Sequence, residues 1–280
     1  MHYEEKDIVL DYEKLGADNG GYQPKLTLYF PDNTPQIEPN RLSPVVVICP
    51  GGGYAMTSDR EAEPIALKFL GAGIRAAVLR YSIGNARFPS ALFELGTAIT
   101  MLREHATEWH IDPNKIIVCG FSAGGHLCAS YGTLWNHDFV KTALGCQNEE
   151  HRPNGMILGY PVITTGEKAN VGSFENLLGE KKDDPELLEL LAAEKQVTVD
   201  TPPAFLWHTS DDVVVPVENS LMFATALSAC QIPFELHVFP KGPHGLALSN
   251  RLTAGDLSTE IMIPECEIWI DQAIRWTESL

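Results

Sequence analysis

Five residues, Gly120-Phe121-Ser122-Ala123-Gly124, constrain this chain more than any other stretch. They read G-x-S-x-G, follow directly on the apolar run 115–119, and lead into Gly125-His126-Leu127-Cys128-Ala129-Ser130, the start of a helix. A serine at such a strand-to-helix junction sits on a tight, strained turn, and its hydroxyl projects above the carboxyl end of a parallel sheet. Glycine is needed two places before and after it, because side chains there would collide as strand and helix close together. The amide of the next residue, Ala123, faces the space where a substrate oxygen would gain negative charge. Short Gly/Ser patterns recur by chance in a chain with 23 glycines, so the flanking strand and helix carry the expectation rather than the five letters.

The rest of the chain supplies the strands and helices that this junction needs. Residues 7–12 and 25–30 alternate apolar and polar side chains, as half-buried antiparallel strands do. Residues 44–49 form a short continuous apolar run, the pattern of a strand buried on both faces. Further strands are expected at 76–81, 156–160, 204–208 and 234–239. Helical spacing marks 60–69, 89–109, 185–195 after an Asp184 cap, a segment from Glu218, and 259–279, the last packing Ile261, Ile268, Ile270, Ile274 and Trp276. Strands alternating with helices predict an α/β fold with a mostly parallel central sheet covered on both faces and antiparallel strands at the N-terminus. The 280 residues are read as a single domain, with the more polar residues 163–201 as either a solvated excursion or a small cap insertion over the substrate pocket.

The run 44–49 ends in Pro50-Gly51-Gly52-Gly53-Tyr54. Three glycines after a buried strand let the backbone bend sharply and expose amides, so Gly52 and Gly53 are candidates for the second half of an oxyanion hole. Tyr54 and Met56 are candidates to line the pocket. Gly71-Ala72-Gly73-Ile74-Arg75-Ala76 imitates a dinucleotide fingerprint, but its glycines follow a helix and precede a strand. A cofactor loop needs the reverse order, so that the pyrophosphate meets a helix N-terminus.

A nucleophilic serine requires a base and a group to orient that base. His244 follows the strand 234–239 on a loop restrained by Pro243 and Gly245, and is the candidate base. Asp212 follows the strand 204–208 and is the candidate orienting carboxylate, with its neighbour Asp211 as the fallback. Ser122, Asp212 and His244 then lie at strand carboxyl ends in the chain order Ser…Asp…His. His126 is carried away from the pocket by the helix after Ser122 and is read as structural, and His105 and His110 as surface residues near a helix end.

A net charge of -17 excludes nucleic acid and anionic membrane as expected partners, since both require basic patches. No apolar run approaches the length of a membrane span, and the polar first seven residues contain no signal-peptide pattern. The six cysteines include no C-x-x-C pair, so reduced thiols in a cytoplasmic protein are expected. Neither H-E-x-x-H, nor Cys/His zinc spacing, nor a phosphate-binding loop is present, so no metal or other cofactor is implied. Homo-oligomerisation is left open.

Pro50-Gly51-Gly52-Gly53-Tyr54, Arg60-Glu61-Ala62-Glu63-Pro64, Gly120 through Leu127, and the segment 208–216 together resemble the bacterial α/β-hydrolase esterases, and among them the acetyl-xylan-esterase-like branch. The resemblance runs from about residue 25 onward. It implies Ser122, Asp212 and His244 as the catalytic triad and acetyl or other short-acyl esters, including those of sugars, as substrates. Pro50 stands where lipase-type loops have histidine, so only the backbone amides are carried over. A peptidase or lactone hydrolase on the same scaffold, and a catalytically silent binding protein, are the competing readings.

Overall fold

The computed structural model describes residues 1–146, 148–255 and 260–280. Its centre is an eight-stranded sheet built from β1 (His2–Asp7), β2 (Lys25–Phe30), β3 (Ser43–Cys49), β4 (Arg75–Arg80), β5 (Ile111–Phe121), β6 (Gly155–Gly159), β7 (Ala204–Thr209) and β8 (Phe234–Phe239), in the spatial order β1-β2-β4-β3-β5-β6-β7-β8. The β1–β2 and β2–β4 pairs are antiparallel, and every pair from β4 to β8 is parallel. Parallel neighbours require crossovers, and seven helices lie in them: α1 (Glu63–Gly71), α2 (Ser90–Glu104), α3 (Ala123–Leu134), α4 (Asp138–Leu144), α5 (Val171–Leu178), α6 (Pro185–Leu191) and α7 (Glu218–Ala229); α8 (Arg251–Ala254), α9 (Pro264–Glu267) and α10 (Trp269–Ser279) follow the last strand.

Side-chain alternation along β3 divides the core into two layers. Val45, Val47 and Cys49 pack with Leu95, Ile99 and Leu102 of α2, Leu127 of α3 and Phe223 of α7. Val46 and Ile48 point the other way, toward Ile65 and Phe69 of α1 and Trp269 and Ile270 of α10. Both faces of the central strands are therefore dry, which is why the run 44–49 carries no polar alternation. Among the described residues, no helix is long and apolar enough to cross a membrane.

Several expected elements are displaced. The first strand is His2–Asp7 rather than 7–12: it is an edge strand whose exposed side chains carry little pattern, and its place is set by backbone pairing with Lys25–Phe30. β2 is buried from Leu26 to Phe30 instead of half-buried, because α1 and α2 reach across it. The helix expected at 60–69 is broken at Ala62 (φ -109°, ψ -106°) into a 3₁₀ turn, Asp59–Glu61, and α1. The helix expected at 89–109 ends at Glu104, and the one expected at 185–195 ends at Leu191, giving way to a second 3₁₀ turn at Ala193–Lys195. The Asp184 cap is present, its carboxylate accepting from the amides of Glu186 and Leu187. The expected helix 259–279 is α9 and α10 instead, and its first residue lies outside the described residues. Ile268 between those two helices is half exposed, while Ile261 and Ile270 are buried as expected.

Candidate active site

β5 delivers Ser122 to the carboxyl edge of the sheet. Its backbone sits at φ 52°, ψ -120°, a conformation that costs a non-glycine residue of order 1–3 kcal/mol and has to be held by its surroundings. The surroundings are close: a Cβ on Gly124 would stand 2.1 Å from the carbonyl oxygen of Cys49, and one on Gly120 2.1 Å from that of Gly124. Three backbone bonds fix the turn, from Ser122 N–H to Gly159 O and to Ser122 O from Val162 and His126.

The three candidate side chains, from three different strand ends, meet. His244 Nε2 lies 2.8 Å from Ser122 Oγ, and Nδ1 lies 2.6 Å from Asp212 Oδ2. An ionised carboxylate can only accept, so Nδ1 carries the proton and Nε2 is left to accept from the serine hydroxyl. Asp212 is itself held: Oδ1 accepts from the amides of Val214 and Val215, each at 2.9 Å, and His208 Nε2 lies 3.4 Å from Oδ2. Burial raises its pKa, but hydrogen bonds from His208 and His244, with the charge of His244, outweigh that and hold it well below the usual carboxylate range. Asp211 does not reach the imidazole. It accepts from the Gly242 amide at 2.8 Å and so anchors the loop that carries His244.

The glycine loop after β3 folds over the serine. A Cβ on Gly51 would lie 2.9 Å from Ser122 Cβ, and Gly52 adopts φ 132°, where a Cβ would also stand 2.3 Å from Met56 O, so neither position has room for a side chain. The loop is tied down through its carbonyls: Gly51 O accepts from Ser58 N–H, Gly52 O from the Ala55 and Met56 amides, and Gly53 O from Asn176 Nδ2 at 2.8 Å. Among the described residues, no protein acceptor takes the N–H of Gly52, Gly53 or Ala123. The Pro50 carbonyl accepts from Tyr81 Oη at 2.6 Å. Tyr54 does not line an open pocket: it is buried, 2.8 Å from His126 Nδ1, whereas Met56 is 54% exposed.

His126 has the structural place expected of it. Its Nε2–H donates to Leu191 O at 2.9 Å, which leaves Nδ1 to accept from Tyr54 Oη, so the ring is neutral, and burial lowers its pKa to about 4. His105 is a surface residue beside Glu108, stacked on Trp109. Sequence reasoning missed the groups that join the loops. Arg60 donates to Thr253 O and Gly245 O, Glu61 accepts from Gly51 and Tyr160, and Tyr160 packs edge-on against His244 with ring centres 5.0 Å apart. The signal for Arg60 and Glu61 was their place in the segment Arg60-Glu61-Ala62-Glu63-Pro64 that carries part of the resemblance, which assigned them no role.

The endo-1,4-beta-xylanase B of Butyrivibrio fibrisolvens is 41% identical over 214 residues, 73% of this chain and 33% of its own length. The acetylxylan esterase of Xylanibacter ruminicola is 34% identical over 212 residues, 73% of this chain and 41% of its own. This chain thus spans well under half the length of these two relatives. The solved structure of an acetyl ester-xyloside bifunctional hydrolase from Caldicellulosiruptor lactoaceticus is 37% identical, with 99% of this chain and 96% of that one covered at a TM-score of 0.81. Sheet order, nucleophile turn and these likenesses define an α/β-hydrolase esterase. The profile of the BD-FAE family matches residues 26–227, and the chain belongs to that family, in the acetyl-xylan-esterase-like branch of these esterases.

Proposed function

We propose that this chain is a serine carboxylesterase that removes short acyl groups, above all acetyl groups, from sugars or xylo-oligosaccharides through an acyl-enzyme on Ser122. The observation that carries the reading is the continuous chain of contacts from Ser122 Oγ to His244 to Asp212, at 2.8 and 2.6 Å. Serine is a weak nucleophile at its free pKa, so His244 Nε2 takes the hydroxyl proton as Oγ bonds to the ester carbonyl carbon. Asp212 keeps the imidazole in the productive tautomer and stabilises the imidazolium. The amides of Gly52, Gly53 and Ala123 donate to the oxyanion, each such donor being worth about 3 to 4 kcal/mol of barrier. The imidazolium returns its proton to the departing alcohol oxygen, and water repeats the sequence to release the acid.

The acetyl-sugar substrate draws support from the relatives named for acetylxylan and acetyl ester-xyloside hydrolysis. Residues 163–201 belong to the same single domain as a fixed cap. Asn176 Nδ2 donates to Gly53 O, Asn170 Nδ2 donates to Val214 O, and Leu191 O accepts from His126 Nε2–H, so the segment braces both the glycine loop and the Asp212 loop. Six unpaired cysteines fit a reducing cytoplasm, and the acidic surface fits a neutral small-molecule substrate rather than nucleic acid or membrane. The test is a panel of acetylated xylo-oligosaccharides, p-nitrophenyl esters of rising chain length, and aminoacyl amides. Highest kcat/KM on acetyl esters is expected, and preference for the amides would overturn the reading.

A further inference from the structure

Glu61 is a buried carboxylate, 4% exposed, that the ester-hydrolysis cycle does not use. Its two oxygens face two different loops. Oε2 accepts from the Gly51 amide at 2.8 Å, and Oε1 accepts from Tyr160 Oη at 2.6 Å. Tyr160 Oη in turn accepts from the Ala247 amide at 2.9 Å, three residues beyond His244, and the Tyr160 ring packs edge-on against the His244 imidazole. The adjacent Arg60 grips the same histidine loop through Gly245 O and Thr253 O. The break at Ala62 between the 3₁₀ turn and α1 is what lets this pair face the site instead of continuing the helix.

We infer that Glu61 is a positioning residue for the esterase reaction, holding the oxyanion loop and the histidine loop in mutual register through Gly51 and Tyr160. Gly51 is the residue where that hold matters. The space beside its α-carbon is bounded at once by Glu61 Oε2, Ser122 Cβ and Phe121 O, all within 3 Å of where a Cβ would be. Directing the Gly51 N–H toward Glu61 fixes the Pro50–Gly51 peptide at the start of the glycine loop, and leaves the Gly52 and Gly53 amides for the substrate oxygen. A buried carboxylate is costly unless its lone pairs are used, and here the two oxygens are used on two different loops. Burial raises the Glu61 pKa, while the Tyr160 and Gly51 hydrogen bonds oppose that rise.

The inference rests on the proposed serine-esterase reading, and one reaction separates the two. A p-nitrophenyl alkylphosphonate transfers phosphorus to Ser122 Oγ with loss of p-nitrophenolate, the Oγ proton passing to His244, so its rate reports nucleophile and oxyanion-loop geometry without needing the natural substrate. Wild type, Glu61→Gln, Glu61→Ala and Tyr160→Phe would be compared per folded molecule, alongside acetyl-ester kinetics. Slowing of phosphonylation and kcat by about 10- to 100-fold in Glu61→Ala is expected, with KM within about threefold, since the lost interaction acts in the transition state. Glu61→Gln, which retains an acceptor for Gly51, should recover part of the rate, and Tyr160→Phe should fall between it and wild type. If Glu61→Ala does not fold, the Gln and Phe variants carry the test. Variants that melt earlier yet react within twofold of wild type, or that lose only KM, would overturn the positioning role. A wild-type protein that is not phosphonylated at all would overturn the serine-esterase reading and the inference with it.

Discussion

Asp212 and His126 show how a neighbour's lone pair decides what a titratable side chain can do. Asp212 stays ionised because three hydrogen-bond donors, the Val214 and Val215 amides and His244 Nδ1, converge on it, and in that state it can only accept from His244. Asp212→Asn would present an amide that favours the wrong imidazole tautomer. A fall in kcat of about 10³- to 10⁴-fold with little change in melting temperature is expected from stopped-flow ester hydrolysis. His126 is the opposite case, a ring held neutral by the Tyr54 hydroxyl and the Leu191 carbonyl. Its folded pKa, lowered to about 4, lies below the value of about 6.5 expected when unfolded, so the unfolded chain binds the proton first as pH falls. Its stabilising effect is complete above about pH 6.5 and is lost toward pH 4, amounting to about 2 kcal/mol between pH 8 and pH 5. Urea unfolding at those two pH values should show the loss, and His126→Asn should remove about that much of the pH dependence.

The turn that carries Ser122 is a collision avoided by glycine. Gly124→Ala would drive a methyl group into the Cys49 carbonyl, at the strand end that carries the glycine loop. Calorimetry should show a loss of at least about 1–3 kcal/mol, together with a drop in ester turnover. Gly172 in α5 has open space where its Cβ would stand and no unusual backbone angle, so Gly172→Ala should stabilise the protein by up to about 1 kcal/mol and leave turnover unchanged. The parallel strands, the nucleophile turn and the His244 and Asp212 loops were legible because continuous apolar runs and strand-end Gly and Pro mark where a buried strand must stop. β1 was not, since an edge strand with alternately exposed side chains is located by its partner's backbone rather than by its own pattern. Glu61 and Tyr160 were not legible as a pair either: they lie 99 positions apart, and their roles arise only when two loops close.

For the whole molecule, a net charge of -17 around a site whose chemistry develops further negative charge has a consequence for substrate choice. Esters bearing a carboxylate on the acyl or alcohol side should react more slowly than neutral isosteres, and the gap should narrow as ionic strength rises from 0.01 to about 0.15 M and the Debye length shrinks from about 30 to 8 Å. A gap independent of salt would place the discrimination in local contacts instead. The same molecule brings three loops from β5, β7 and β8 to one point, and everything proposed about its reaction depends on that convergence. The most direct measurement is to quench the enzyme with acid during turnover of an acetyl ester and map the acetyl group by peptide mass spectrometry. The account predicts acetyl on Ser122 in the wild type and none there in His244→Ala; acetyl transferred to another residue, or turnover with no acetyl-enzyme under burst conditions, would contradict it.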